Sequence, residues 1–219
     1  MLTFDHFMHW VHDLDKAMAL AAARGFAANP GGRIGELLVN AGWSGRDVYV
    51  ELISASDRAA FRERNRGPVG LAREAAMAAG GGGGQFAYAV DDLAATVAGV
   101  RARGIAVRDP EIGSWTSSTT GAVEKWQSAW LDEGPGGWRP FFIQYPSPRR
   151  RSGAWSFRGI ELEVPDPDQA RSWLARVLGF EPAEITFTRG PRDRIVRVVL
   201  QGTGGPAGEF LGITYDRMP

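Results

Sequence analysis

The chain has 219 residues, 44% of them hydrophobic, with 25 basic residues against 25 acidic, which suits one or two domains able to bury a real core. Balanced charge removes the general electrostatic case for nucleic acid or an anionic membrane surface. The absence of cysteine removes disulfides and thiol catalysis; with no signal-peptide pattern and no apolar run near the roughly 20 residues of a membrane helix, a cytoplasmic protein is expected.

Residues 4–11 (FDHFMHWV) alternate as a strand, Phe7 and Val11 on one face and His6, Met8 and Trp10 on the other. Asp13 stands where an N-cap belongs, Asp15 suits the first turn, and Gly25 closes the helix in the left-handed conformation. Leu14, Ala17, Met18 and Ala21 make its apolar stripe. A turn at 29–32 (NPGG) and strands near 34–40 and 47–54 complete a β-α-β-β-β order. Residues 55–84 read as a connector: two alanine-rich helical stretches (SDRAAFRER, LAREAAMAA), then glycines 80–84, expected to be a flexible linker because no strand precedes them and no Lys-Ser/Thr follows.

The order then repeats. A strand at 85–90, a helix at 92–103 and a short strand at 105–108 lead into a polar loop, 110–121 (PEIGSWTSSTTG), whose Trp115 would lie over one mouth of the sheet; strands near 123–131 and 139–145 follow. Residues 146–153, with Arg149, Arg150 and Arg151, read as a solvated basic linker. A third copy has a strand at 159–164, a helix at 166–178 and strands at 195–201 and 209–215. The spacing from strand-ending valine to closing glycine is 14 residues for Val11 to Gly25, 14 for Val90 to Gly104 and 15 for Val164 to Gly179, the mark of a repeated unit. The expected divisions are therefore 1–54, 55–84, 85–146 and 147–219.

Each opening strand carries one apolar parity: Phe7 and Val11; Phe86, Tyr88 and Val90; Ile160, Leu162 and Val164. The other parity is mixed (His6, Met8, Trp10; Gln85, Ala87, Ala89; Gly159, Glu161, Glu163), which suits a sheet curved around a wet cavity. His9 falls on the apolar side without a reason visible in the sequence. Glu161 and Glu163 together point to a wet or partner-facing surface. Glu51, a carboxylate in the middle of the apolar strand VYVELIS, must be paired, metal-bound or shifted in pKa, and is the leading candidate for a catalytic group. Trp10, Trp126 and Trp130 alternate on strands bordering the cavity, where aromatic walls favour a planar or apolar ligand; ordinary core packing is the competing reading. No Ser-His-Asp arrangement and no dinucleotide fingerprint is present.

In Phe4-Asp5-His6-Phe7 with Val11-His12-Asp13-Leu14, in Asn40, in Tyr49-Val50-Glu51-Leu52-Ile53 and in Pro140-Phe141-Phe142-Ile143, the chain resembles the vicinal oxygen chelate superfamily, in particular its glyoxalase-like branch. The resemblance covers about residues 3–145, and 157–215 more weakly. It implies an α+β fold: tandem βαβββ modules in a curved, open, barrel-like mixed sheet with helices outside, plus a third, weaker module. In the superfamily's enzymes it also implies a divalent metal near the centre. The superfamily spans lactoylglutathione lyases, extradiol dioxygenases, epimerases, fosfomycin-modifying enzymes and antibiotic-sequestering proteins, so the resemblance specifies a fold and not a reaction.

Carried over by position, the implied metal ligands are His6 and Glu51 from the first module and Gln85 and Gln144 from the second; the third offers Gly159 and Gly212, which have no side chain to ligate. Imidazole and carboxylate suit Zn, Ni, Fe or Mn, whereas two amides are weak ligands. A 2-His-1-carboxylate triad is not available at these positions, which argues against a ring-cleaving dioxygenase. The alternative is that His6 and Glu51 point into a polar cavity and bond each other or the glutamines. His9 diverges from His6, and His12 reads as an exposed loop residue. Asn40 suits a turn as well as a ligand contact. Two functions follow as expectations: a metal-assisted lyase or isomerase acting on a small organic molecule, or a non-catalytic small-molecule binding protein with Trp10, Gln85, Trp126 and Gln144 around the ligand. A scaffold with a vestigial cavity is the third. The third module is expected to pack outside the first two or to pair with its counterpart in a homodimer.

Overall fold

A computed structural model describes residues 2–147, 149 and 151–219; Arg150 of the basic run lies outside them. The first module is β1 (Leu2–Val11), α1 (Leu14–Ala23), β2 (Asn29–Ile34), β3 (Leu38–Ser44) and β4 (Tyr49–Ala55). The connector holds α2 (Arg58–Arg64) and α3 (Pro68–Ala78). The second module is β5 (Gly81–Val90), α4 (Leu93–Ala102), β6 (Glu111–Ser117), β7 (Val123–Trp130) and β8 (Pro140–Gln144). Then come β9 (Trp155–Val164), α5 (Pro167–Leu178), β10 (Ile185–Arg189), β11 (Arg194–Gly202), β12 (Gly208–Phe210) and β13 (Ile213–Met218).

The three repeated helices start and stop as their residues dictate. Asp13, Asp92 and Asp166 accept hydrogen bonds from the first-turn amides of Lys16, Ala95 and Gln169. Gly25, Gly104 and Gly179 end them with φ of 80°, 76° and 83°.

Two modules close one barrel, in the order β1-β4-β3-β2-β6-β7-β8-β5. The opening strands β1 and β5 pair antiparallel along their length, Leu2 with Val90 and Val11 with Gly81. The opposite seam is short, running only from Gly32–Ser117 to Ile34–Trp115, so the sheet closes where an open one was expected. In both modules the last strand returns parallel beside the first, β4 by β1 and β8 by β5.

The alternation of the opening strands divides two cores. Phe7, Val11, Phe86, Tyr88 and Val90 join the outer core, while Met8, Trp10 and Ala87 join an inner one. Phe61 from α2 and Met77 from α3 enter that inner core beside Trp10 and Ile53, so the connector helices stopper one end of the barrel. Each such fully buried side chain contributes about 1.5–3 kcal/mol. Glu74 accepts from both Arg58 and Arg62 at 3.1 Å and ties the two helices together.

The third unit shares the strand, aspartate cap and helix, then departs from the pattern. Its sheet runs β10-β9-β11-β13-β12, with β10 parallel and directly beside β9. It packs on the outside of the barrel over β5, with Phe157 and Tyr215 reaching β1, whereas α1 lies on β3 and β4 and α4 on β7 and β8. Phe157 stacks on Phe4 at 4.3 Å, and Trp43 and Tyr215 meet at 6.3 Å. His9 belongs to this seam: Tyr215 Oη lies 2.7 Å from its Nδ1, and its Nε2 lies 2.9 Å from the Leu211 carbonyl.

Three segments read as turn, loop or linker are strands. The glycines 81–84 open β5, and 29–32 (NPGG) open β2, because bare backbone is what their neighbours leave room for. A Cβ on Gly83 would stand 2.4 Å from the Ile195 side chain, one on Gly84 2.6 Å from Trp10, and one on Gly31 2.2 Å from the Asn40 carbonyl. The polar stretch around Trp115 forms β6, paired with β7 from Glu111–Ser128 to Thr116–Val123. Residues 105–108, expected to be a strand, contribute only the single bridge Val107–Leu131.

Candidate functional site

A cavity of about 680 Å³ opens at the unstoppered end of the barrel, with His6, Asn40, Tyr49, Glu51, Trp115, Trp126 and Tyr145 in its wall. β1 supplies His6 through a local irregularity. Phe4 pairs with Tyr88 and His6 with Ala87, leaving Asp5 as an extra residue in the strand. Such a bulge re-aims side chains. It lets Asp5 Oδ2 meet His6 Nδ1 at 2.6 Å instead of pointing away from it.

Asp5 is fully engaged. Its Oδ1 accepts from Arg151 at 2.6 Å and its Oδ2 also accepts from the Tyr145 hydroxyl at 2.9 Å. Burial pushes its carboxyl up, but the His6 bond and charge, the Arg151 charge and the Tyr145 bond outweigh it and hold the group well below the usual carboxylate range. Arg151 is thus a buried wall residue, and Arg149, in the same segment, lies 4.4 Å over the Tyr145 ring and pairs with Glu124. Where a solvated linker was expected, Pro146, Ser147, Arg149 and Arg151 line the cavity, and Asp5 supplies Arg151 with a buried counter-charge.

Glu51 is buried on β4, beside Met8 in register. Asn40 Nδ2 donates to its Oε1 at 2.7 Å, while Asn40 Oδ1 accepts from the Gly32 amide and Trp115 Nε1, both at 2.9 Å. Asn40 is therefore a hub joining β2, β3, β4 and β6. Glu51 Oε2 lies 3.9 Å from His6 Nε2, too long for a hydrogen bond. Tyr49 spends its hydroxyl on the Ala41 carbonyl at 2.9 Å, and burial, then the Glu51 charge, raise its pKa and keep it neutral.

Of the residues singled out from the sequence, His6, Glu51 and Trp126 line this cavity. Trp10 does not: it is fully buried against Phe61, at 5.6 Å, and under the Arg73 guanidinium, at 5.1 Å. Gln85 is buried too, and its Oε1 accepts from Arg73 Nε at 2.8 Å. Gln144 faces the helices, where it accepts from the Leu93 amide and donates to the Asp91 carbonyl, both at 2.9 Å. Register explains that miss: as Met8 pairs with Glu51, so Ala87 pairs with Phe141, which makes Phe141 the counterpart of Glu51 in the second module. Asp5 was not legible because a bulge re-aims it, and the roles of Asn40, Tyr145 and Arg151 were not because their partners are distant in sequence. His12 is held by the Met77 carbonyl, 3.1 Å from its Nδ1, away from the cavity.

These contacts decide what the cavity can hold. A metal of the kind the superfamily's enzymes carry would find two strong donors, His6 Nε2 and Glu51 Oε2. The second module offers Phe141, a glutamine already bound by arginine and a glutamine turned outward. Among the described residues no group of three or more His, Cys, Asp or Glu side chains is arranged to hold a metal. The donor set does not fit a tightly held ion.

No helix among the described residues is long and apolar enough to cross a membrane. A family model described as glyoxalase-like domain matches residues 4–178. No curated protein sequence matches the chain. Among solved structures, a hypothetical protein from Staphylococcus aureus is similar over 100% of both chains, with a TM-score of 0.84 at 14% identity. A mutant of 4-hydroxymandelate synthase from Streptomyces coelicolor is similar over 92% of this chain and 71% of its own, with a TM-score of 0.56 at 10% identity. Methylmalonyl-CoA epimerase from the same organism is similar over 69% of this chain and 99% of its own, with a TM-score of 0.46 at 20% identity. At their identities the first two likenesses are of fold alone. With the family match spanning most of its length, the chain belongs to the glyoxalase-like domain family.

Proposed function

We propose that the protein binds a small organic molecule in the mouth of its barrel without a tightly held metal. One observation carries this reading: an aromatic-walled cavity of about 680 Å³ ends on a buried carboxylate and imidazole, while the second module contributes no strong metal donor. The volume suits a ligand of small-molecule size, and Trp115, Trp126, Tyr49 and Tyr145 supply the apolar faces such a ligand packs against. Glu51 and His6 are its polar contacts, and Trp126 a wall contact.

A second reading, a metal-assisted lyase or isomerase using Zn, Ni, Fe or Mn at His6 and Glu51, has one observation in its favour. Asp5 orients His6 as an outer carboxylate orients a metal-bound histidine. Ligand screening by tryptophan fluorescence and melting temperature, with and without chelator, separates the two. The binding reading expects quenching and a raised melting temperature that chelator leaves untouched; loss of both on chelation would reverse it. A homodimer remains part of the proposal only through other surfaces, since the third sheet already finds its partner face on β1 and β5; size-exclusion chromatography reads the assembly.

A further inference from the structure

The proposed binding function leaves the ligand's shape open, and two indoles on one cavity wall narrow it. On this wall the strands run β3-β2-β6-β7. Side chains on a strand ordinarily stand out from the sheet, but Trp115 and Trp126 lie along it. Trp115 is on β6, yet its Nε1 donates to Asn40 Oδ1 on β3 at 2.9 Å. Two strand spacings, about 10 Å, separate β6 from β3, so the ring must lie across the inner face of β2. A Cβ on Gly32 of that strand would stand 2.9 Å from the same indole nitrogen.

Trp126 does the same one strand further along. It pairs in register with Gly113 on β6, and a Cβ on Gly113 would stand 2.4 Å from its Nε1. The ring therefore rests on bare glycine backbone. Both indoles line the cavity and both are half-buried. One is fixed by its bond to Asn40 and the other by its glycine bed, so they present two flat π faces side by side on one wall. Such faces stack on other flat π systems with a gain beyond the area they bury. A puckered aliphatic ring touches them with only part of its atoms at contact distance.

We infer that the ligand, on the binding reading above, is a flat aromatic molecule whose ring face lies against Trp115 and Trp126. The glycines at 32 and 113 are then part of the binding device, because they let the indoles lie down.

Isothermal titration with 2-naphthylmethanol and decahydro-2-naphthylmethanol tests this, since the pair share a carbon skeleton and a hydroxyl and differ in the flat π system. Apolar burial alone favours the saturated molecule, which carries more apolar surface. Stacking favours the flat one, which should bind about tenfold more tightly. Gly113→Ala should bring the two towards parity by lifting Trp126 off the wall, at a position whose φ is not in the left-handed region. Trp126→Leu should do likewise, with circular dichroism checking the fold of each variant. Where one variant does not fold the other decides, and where neither folds the order of the two molecules on the native protein decides. Saturated binding as tight as the aromatic, or a preference that survives in either folded variant, overturns the inference and leaves the binding reading standing. Binding of neither molecule overturns both.

Discussion

His6 and His9 stand three residues apart on one strand, and the strand sends them to opposite sides of the barrel. His9 lies in a dry seam with both ring nitrogens engaged, one by Tyr215 and one by the Leu211 carbonyl. Burial, partly opposed by the Leu211 carbonyl, pushes its pKa down to about 4, so it is a neutral pin between the barrel and the third sheet. His6 lies at the wet end with one nitrogen engaged by Asp5 and the other facing the cavity. The residue type is the same; the number of committed nitrogens separates a structural histidine from a candidate binding one.

The largest effect expected is at the seam. His9→Ala removes two buried hydrogen bonds, leaves the Tyr215 hydroxyl without its partner and opens a void, so urea unfolding should show a loss of about 4 kcal/mol. An unchanged midpoint would make the seam incidental. Next is pH. The folded pKa of about 4 is below the ordinary 6.5 of the unfolded chain, so between those values the unfolded chain binds a proton that the folded one refuses. Stability is then complete above pH 6.5, falls by roughly 3 kcal/mol as pH drops towards 4, and levels off below. Unfolding curves across that window should show the decline, and His9→Gln should flatten it. Asp5 acts lower, because its depressed pKa keeps its contribution until the pH falls beneath the usual carboxylate range.

A smaller loss is expected at Gly83, where Ile195 already occupies the space a side chain would need. Gly83→Ala should cost about 2 kcal/mol by overpacking the same seam, read as a shift in urea midpoint. Most informative at the other face is Asp5→Asn, read in ligand binding. It should weaken binding severalfold, because His6 and Arg151 lose their common anchor. Equal binding by this variant would show that His6 needs no orientation by Asp5.

Much of this is legible in the sequence. Alternation in β1 and β5 foretold which residues join the outer core and which the inner, and aspartate and glycine marked the helix ends. Composition misled where 29–32 (NPGG) were read as a turn and the glycines 80–84 as a flexible linker. In residues 29–32 and 81–84 those residues sit in strands because Asn40, Ile195 and Trp10 press against their backbone. Strand parity placed His6, Glu51 and Trp126 on the cavity side, and all three line the cavity. Asp5 escaped because a bulge broke the parity, Gln144 because the register of β8 against β5 was misjudged, and Arg151 because its counter-charge lies 146 residues away in the sequence. The purpose of His9 was hidden for the same reason: its partners come from the far end of the chain.

The most direct test of the claim that this barrel holds its ligand without a metal is elemental analysis of the protein purified with neither chelator nor affinity tag. The account predicts transition metal far below one ion per chain, with Glu51→Gln indistinguishable from the native protein. One zinc, nickel, iron or manganese per chain, lost on Glu51→Gln, would contradict it.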